Sequence, residues 1–426
     1  MKKVLLIVVL IVIIAGNITW MWPQEEPTSA VPQPTTGSSR LSELLGAEGM
    51  EAYASAIEPR AFSFPADHGP HPEYRNEWWY ITGNLDAENG ERFGFDLTFF
   101  RFSLTPQTAN EEPKAAESSA WTGKQVYIAH FAITDVDNEQ FHVAQRYARG
   151  SLGLAGAQTS PFRVWLEDWS IAAAGASIVS ASDTGHAKSD PVGAASVAIT
   201  TRDELAIPWR IHAADKNIAV DLSLVPLKPP ILNGTDGLSQ KSSQPGNASY
   251  YYSISRLQTD GSLRVDGIDY AVTGLSWLDR EWGSSALSKE QHGWDWFALQ
   301  LSDGSDLMFY NLRRIDGSQD SHSAGTWIRA DGRALPLTRD DVAVDVKEYW
   351  DSPSGGRYPM EWQIEVAPLA LNLHVIPVLK AQELSTTVRY WEGAVDVNGQ
   401  RAGNELTGRG YVELTGYADS GSTTSQ

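Results

Sequence analysis

The residues whose types could do chemistry crowd into Ser276–Phe297. There Trp277, Trp282, Trp294 and Trp296 are interleaved with Asp279, Arg280, Glu281, His292 and Asp295. Neither a plain core strand nor a solvated loop selects that mixture. Indole faces bind a greasy ligand or a developing cation, and a carboxyl held against them resists ionisation and can carry a proton. Asp295, between Trp294 and Trp296, is the foremost candidate for a proton-donating acid. Strand alternation opposes that role, because it sends Asp295 to the face opposite both indoles unless a bulge re-aims it. Glu281 and Glu77 are alternative acids, each close to an arginine in sequence, which lowers a carboxyl pKa and suits a base or a structural anchor better than a donor. Asp279 completes the carboxylate set. Tyr310, across the hairpin that turns at Asp303-Gly304, can face the Trp294–Phe297 strand and orient water; a cross-strand core contact is the competing reading.

The chemistry that calls for these residue types is addition of water to an isolated alkene. A carboxylic acid kept protonated by burial donates its proton to the double bond, and aromatic faces shelter the carbocation until water is admitted. Ligand-binding candidates are therefore Trp78, Trp79, Tyr80, Trp277, Trp282, Trp294 and Trp296, with His130, Arg280 and His292 as polar neighbours. His130 lies in an alternating run whose neighbours on its own face are apolar, so a satisfied interior histidine competes with a general base. Asp67, His68 and His71 have metal-ligand types, but Gly69, Pro70 and Pro72 make the segment a turn, and no metal is expected there. The sequence has no Gly-x-Ser-x-Gly elbow, His-Glu-x-x-His, phosphate loop or dinucleotide fingerprint, so no cofactor is expected.

The elements that must position these residues are strands. Phe93, Phe95, Leu97 and Phe99 alternate with small or polar residues, as do Val126, Ile128, His130 and Ala132, and Ile218, Val220, Leu222 and Leu224. Asn89-Gly90, Asp260-Gly261, Asp266-Gly267, Asp303-Gly304, Asp316-Gly317, Asp331-Gly332 and Asn398-Gly399 each read as a hairpin turn. Many antiparallel strands joined by tight turns must close or stack to hide their edges, which predicts an all-β chain of barrels or sandwiches. The Pro- and Gly-rich segment Pro226–Ser249 reads as the boundary between two β domains. Arg75-Asn76-Glu77-Trp78 and Arg280-Glu281-Trp282 form a faint echo that two similar halves would explain.

At 426 residues two domains are expected. A formal net charge of -20 argues against nucleic-acid partners, and the absence of cysteine excludes disulfides and thiolate chemistry. Met1-Lys2-Lys3 followed by the apolar run Val4–Gly16 reads as an export signal, so a periplasmic or extracellular location is expected. Asn17–Trp22 is a poor cleavage site, which leaves retention as a membrane anchor beside cleavage.

Longer motifs carry a family resemblance. Phe64–Leu85, with Asp67-His68-Gly69-Pro70-His71-Pro72-Glu73-Tyr74-Arg75-Asn76-Glu77-Trp78-Trp79-Tyr80, then Ala129–Asp135, Gly274–Gly283, Gly293–Phe297 and Gly408–Tyr417, resemble the AttH-like proteins called predicted secreted hydrolases, which are similar to carotenoid 1,2-hydratases. The resemblance spans Phe62–Tyr417. It implies two lipocalin-like antiparallel β-barrel domains packed together, with a ligand cleft in or between them, and a hydrophobic small-molecule partner. The hydratases also imply histidine, tyrosine and aspartate near the matching tryptophans, for which His292, Tyr310 and Asp295 are the nearest residues here. The expected organisation is a signal or anchor over 1–22, a Pro-rich linker and short helix over 23–61, β domains over 62–245 and 246–417, and a disordered tail over 418–426. The expected activity is hydration of a lipophilic, isoprenoid- or polyketide-like molecule, or an isomerase- or cyclase-like reaction; the alternative is a carrier that holds such a ligand unchanged.

Overall fold

The computed structural model describes residues 52–106, 123–174, 208–285 and 287–418. The export segment, nearly all of the linker and helix, most of the Ile171–Ala198 stretch and the tail beyond residue 418 lie outside the described residues. The rest is almost entirely strand, arranged as two curled antiparallel sheets, the first a nearly closed barrel and the second a half-barrel.

The first sheet has thirteen described strands, eleven of them on a path that runs from an edge at Gln140–Arg149 through Gln125–Asp135, Arg92–Ser103 and Asn76–Ala87. Ile268–Gly283 and Ala248–Val265 come next, and the path returns through Ile218–Pro226 to the short strand Ala155–Gln158. The first long strand thus pairs with the last. The second sheet is centred on Gln291–Leu301, which lies between Asp306–Arg314 and Asn404–Leu414, with Arg389–Arg401 beyond the latter.

Three expectations need correction. The sheets divide at 284–290, between strands Ile268–Gly283 and Gln291–Leu301, and not at 245/246. Ile231–Leu232 and Leu238–Gln240, inside the Pro- and Gly-rich segment, pair with Ala248–Val265 and belong to the first sheet. The echo motifs are not equivalent parts of two halves either. They are cross-strand neighbours in one sheet, with Glu77 opposite Trp282 and Trp79 opposite Arg280. Finally, Asp260-Gly261 and Asn398-Gly399 lie inside strands. A Cβ at Gly261 would come within 2.2 Å of the Asp221 carbonyl oxygen, and one at Gly399 within 2.2 Å of that of Asn372, so these glycines allow close strand approach instead of turns. The other hairpin glycines do sit in the left-handed region, Gly267 at φ 83° for example.

Alternation fixes the layers. Phe93, Phe95, Leu97 and Phe99 turn inward with Ile218, Val220, Leu222 and Leu224 and fill the first barrel. Phe297, Leu299, Trp362 and Trp391 fill the second. A third apolar cluster, including Tyr80, Tyr251, Trp277, Trp296, Met308, Tyr310 and Tyr411, lies between the sheets. Polar contacts also cross there: Gln300 Nε2 donates to the carbonyls of Ser255 at 2.7 Å and Ser276 at 3.0 Å, and Asn84 Nδ2 donates to that of Gly410 at 3.1 Å. Among the described residues, both interiors are packed with apolar side chains.

Candidate functional site

A hollow of about 110 Å³ opens between the two sheets. The first sheet contributes Trp78, Tyr80, Phe100, Ile128, His130, Tyr251, Asp279 and Glu281, and the second Trp294, Trp296, Tyr310, Leu312, Tyr390 and Glu413. Lys241, just beyond the short strand Leu238–Gln240, closes one wall. Period-two geometry explains the set: Asp279 and Glu281 share one face of Ile268–Gly283, Trp78 and Tyr80 one face of Asn76–Ala87, and Trp294 and Trp296 one face of Gln291–Leu301.

The carboxyls differ in their hydrogen bonding. Asp279 accepts three hydrogen bonds, from Trp277 Nε1 at 2.7 Å, Ser253 Oγ at 2.5 Å and the Tyr251 hydroxyl. Burial still pushes it up to about 6, with the charge of Glu281 adding to the rise against those donors. Glu413 is partly buried and lines the hollow. Among the described residues its one side-chain donor is Trp294 Nε1 at 3.1 Å. Burial lifts it to about 7, opposed by that bond and helped by the charges of Asp279 and Glu281. Glu281 accepts from Ser249 Oγ and pairs with Lys241 Nζ at 3.1 Å. Burial works against the Lys241 cation, but Glu281 overrides it and holds its pKa above the usual lysine value. Lys241 also lies 4.4 Å from the Tyr310 ring centre and donates to Ser239 Oγ at 2.9 Å, which in turn bonds the Tyr310 hydroxyl at 2.9 Å.

His130 faces the hollow from the opposite end, bonded through Nδ1 to the Tyr390 hydroxyl at 2.7 Å and through Nε2 to Gln145 at 3.1 Å. Burial drives it down to about 3, so it is a neutral imidazole. Rings complete the enclosure: Tyr80 meets Trp296 edge-on at 5.0 Å, and Trp296 Nε1 donates to the Tyr251 hydroxyl at 3.1 Å.

Of the residues singled out from sequence, Asp279, Glu281, Tyr310, Trp78, Tyr80, Trp294, Trp296 and His130 meet on this wall. Trp277 stands behind it and orients Asp279. The others are elsewhere. Asp295 shares the face of Phe297 and points into the second barrel, where it accepts from Arg313 Nε and the Tyr417 hydroxyl, both at 2.9 Å. Alternation prevailed there. Glu77 lies in the first barrel, clamped by Arg101 and Arg280, and the two guanidiniums hold its carboxyl well below the usual range against the cost of burial. Arg280 stacks 3.9 Å over Trp79, and Trp282 lies parallel to His71 at 3.8 Å, so these three build that core and not the hollow. His292 sits off the wall, its carbonyl packed against Gly416. Sequence reasoning missed Glu413, Lys241, Tyr251 and Tyr390. Glu413 had a signal, since Tyr411, Glu413 and Thr415 alternate through the last family motif.

Fold and site together define a two-sheet β protein whose carboxyl- and indole-lined hollow lies between sheets instead of inside a barrel. The chain belongs to the AttH-like family, which it matches over residues 55–417. It is similar to an AttH of Nitrosomonas europaea, known from a crystal structure, at 30% identity over 85% of this chain and 99% of that one, with a TM-score of 0.68. Kievitone hydratase from Nectria haematococca shares the fold at 15% identity, covering 86% of this chain and 97% of that one, with a TM-score of 0.60. No curated protein matches the chain.

Proposed function

We propose that this chain adds water to a carbon–carbon double bond of a lipophilic, isoprenoid- or polyketide-like molecule, using its own side chains as acid and base. The observation that carries this reading is Glu413, a carboxyl with a single side-chain hydrogen-bond donor, turned toward an aromatic hollow and raised to about 7. Such a group is about half protonated at neutral pH and has a proton to give. Asp279, with three donors on its oxygens, suits the complementary role. It remains mostly carboxylate at pH 7 and stabilises the positive charge that develops when the alkene is protonated, together with the indoles of Trp78, Trp294 and Trp296. The family's kinship with a hydratase fold supports the reading by analogy only.

The test is mass spectrometry of small molecules extracted from the protein made in its native cells, followed by incubation of the recovered compound with fresh enzyme. A product heavier by one water, absent with Glu413→Gln, is the expected result. Turnover undiminished in Glu413→Gln would refute the assignment. One observation favours a carrier instead: Asp279, Glu281 and Lys241 are already satisfied by protein partners, so the wall can hold an apolar ligand without reacting. Recovery of the compound unchanged after long incubation would support that reading. The apolar start at Met1–Trp22 supports action outside the cytoplasm, and fractionation of cells with and without salt washing tests whether the protein stays membrane-bound.

A further inference from the structure

Beside the hollow, two more carboxyls are buried with no cation to explain them. Asp96 is fully buried in Arg92–Ser103, and Glu392 is 1% exposed in Arg389–Arg401. These strands belong to different sheets and press together: a Cβ at Gly94 would lie 2.8 Å from that of Ala394. Asp96 and Glu392 stand two residues along from that contact on the same faces, so the carboxyls confront each other across the interface. Thr98 Oγ1 donates to Asp96 Oδ1 at 2.8 Å, and the Tyr80 hydroxyl donates to Glu392 Oε1 at 2.5 Å. Among the described residues, Asp96 Oδ2 and Glu392 Oε2 have no hydrogen-bond partner. Among the described residues no lysine, arginine or histidine pairs with either. The other titratable groups around them are Tyr390, Tyr411 and Glu413, which are neutral or acidic, and the neutral His130.

Two buried acceptor oxygens without donors are costly, and two facing carboxylates without a cation are more so. One proton placed between Oδ2 and Oε2 relieves both. Burial raises both groups well above the usual carboxyl range, and the charge of Glu413 on each, with that of Asp96 on Glu392, acts in the same direction.

We propose that Asp96 and Glu392 hold one proton between them, and that Glu392, through Tyr80, takes up the proton released when water adds to a ligand in the hollow. The direction of proton flow rests on the hydration reading; the shared proton does not. As the oxygen of the attacking water bonds to the cationic carbon, its O–H breaks. The released proton goes to Tyr80 Oη while the Tyr80 proton crosses to Glu392 Oε1, along the hydrogen bond already formed. The pair passes from one proton to two. Glu392 lies directly opposite Glu413 across the strand pair, so the extra proton returns to the acid that protonated the alkene, and the cycle closes on alkene plus water giving alcohol.

Infrared spectroscopy of the full chain in heavy water tests this without any substrate. At a pH where Glu413 has lost its proton, the wild type should keep a protonated-carboxyl C=O band. Asp96→Asn and Glu392→Gln should each shift its frequency, because the carboxyl left behind keeps a proton by burial but no longer shares it, and Asp279→Asn should leave it unmoved. Tyr80→Phe should shift its frequency by removing the phenol hydrogen bond. Both carboxyl variants relieve repulsion and should fold, which circular dichroism checks; if either does not, the wild-type pH series decides alone. Absence of the band in the wild type, or a band unmoved in both variants, would overturn the shared proton, and a band unmoved in Tyr80→Phe would overturn the link to the hollow. These outcomes concern the pair alone, whereas undiminished turnover in Glu413→Gln concerns the hydration reading alone.

Discussion

Burial acts on Glu413 and Asp279 alike, yet hydrogen bonding separates them. A carboxyl with one donor loses little by holding a proton, whereas one with three donors gives up hydrogen bonds to its charged form when it does. Glu413→Gln should lower hydration by roughly a hundredfold or more, the usual range for loss of a general acid, while ligand recovered by extraction is retained. Asp279→Asn should instead show in the pH dependence of stability. The folded Asp279 is raised from 3.8 to about 6, so its contribution is fully present below the unfolded value and is lost as pH rises through about 6. A rise of about two units corresponds to roughly 3 kcal/mol between those limits. Denaturant melts from pH 4 to 8 should show that decline in the wild type and a flatter profile in Asp279→Asn; parallel profiles would contradict the assignment. Asp279 was visible in sequence as one acid among several. Which acid keeps its proton was not, because that depends on donors from Ser253, Tyr251 and Trp294 on other strands.

At the scale of elements, three strands of the first sheet are tied together by Glu77, which accepts from Arg101 on one neighbour and Arg280 on the other. Its role is architectural. Removing its charge leaves two buried guanidiniums uncompensated, so Glu77→Gln should cost roughly 3–5 kcal/mol in denaturant unfolding. A loss below about 1 kcal/mol, the range of exposed pairs, would show that the clamp does not hold the strands. Gly399→Ala should also destabilise, because its methyl group meets the Asn372 carbonyl across the strand pair, whereas alanine at Gly317, where nothing lies within 4 Å, meets only the backbone cost of its positive φ. The strand alternation was plain in sequence. The Asp-Gly and Asn-Gly pairs were a less certain guide, since glycine serves close strand approach as well as turns.

For the whole molecule, the interface between the sheets is both a core and a site. Lys228 pairs with Asp306 at 2.6 Å, Arg256 with the same carboxylate at 2.6 Å, and Arg92 with Asp396 at 2.7 Å, each joining one sheet to the other. With the shared apolar cluster, these contacts predict one cooperative thermal transition, and two resolved calorimetric peaks would contradict it. The acid limb of stability belongs to the first barrel. Asp67, held down at about 2 chiefly by His71 and Arg60 against burial, stabilises above its unfolded value and loses that contribution as pH falls toward 2. Asp67→Asn should therefore shift the acid unfolding midpoint upward very little while lowering stability at neutral pH.

The sequence by itself determined the strand content, the family and the residue types at the site, because period two and long motifs are local properties of the chain. It could also warn that Asp295 faces away from its flanking tryptophans, since that follows from alternation alone. Only the tertiary structure decided that the hollow lies between two packed barrels, that Glu77 and Arg280 belong to a core, and that Glu413, Lys241 and the Asp96–Glu392 pair stand at the wall or just behind it. Those outcomes depend on curvature and on contacts between residues far apart in the chain, which bring an exposed-looking strand face on each sheet into one shared interface.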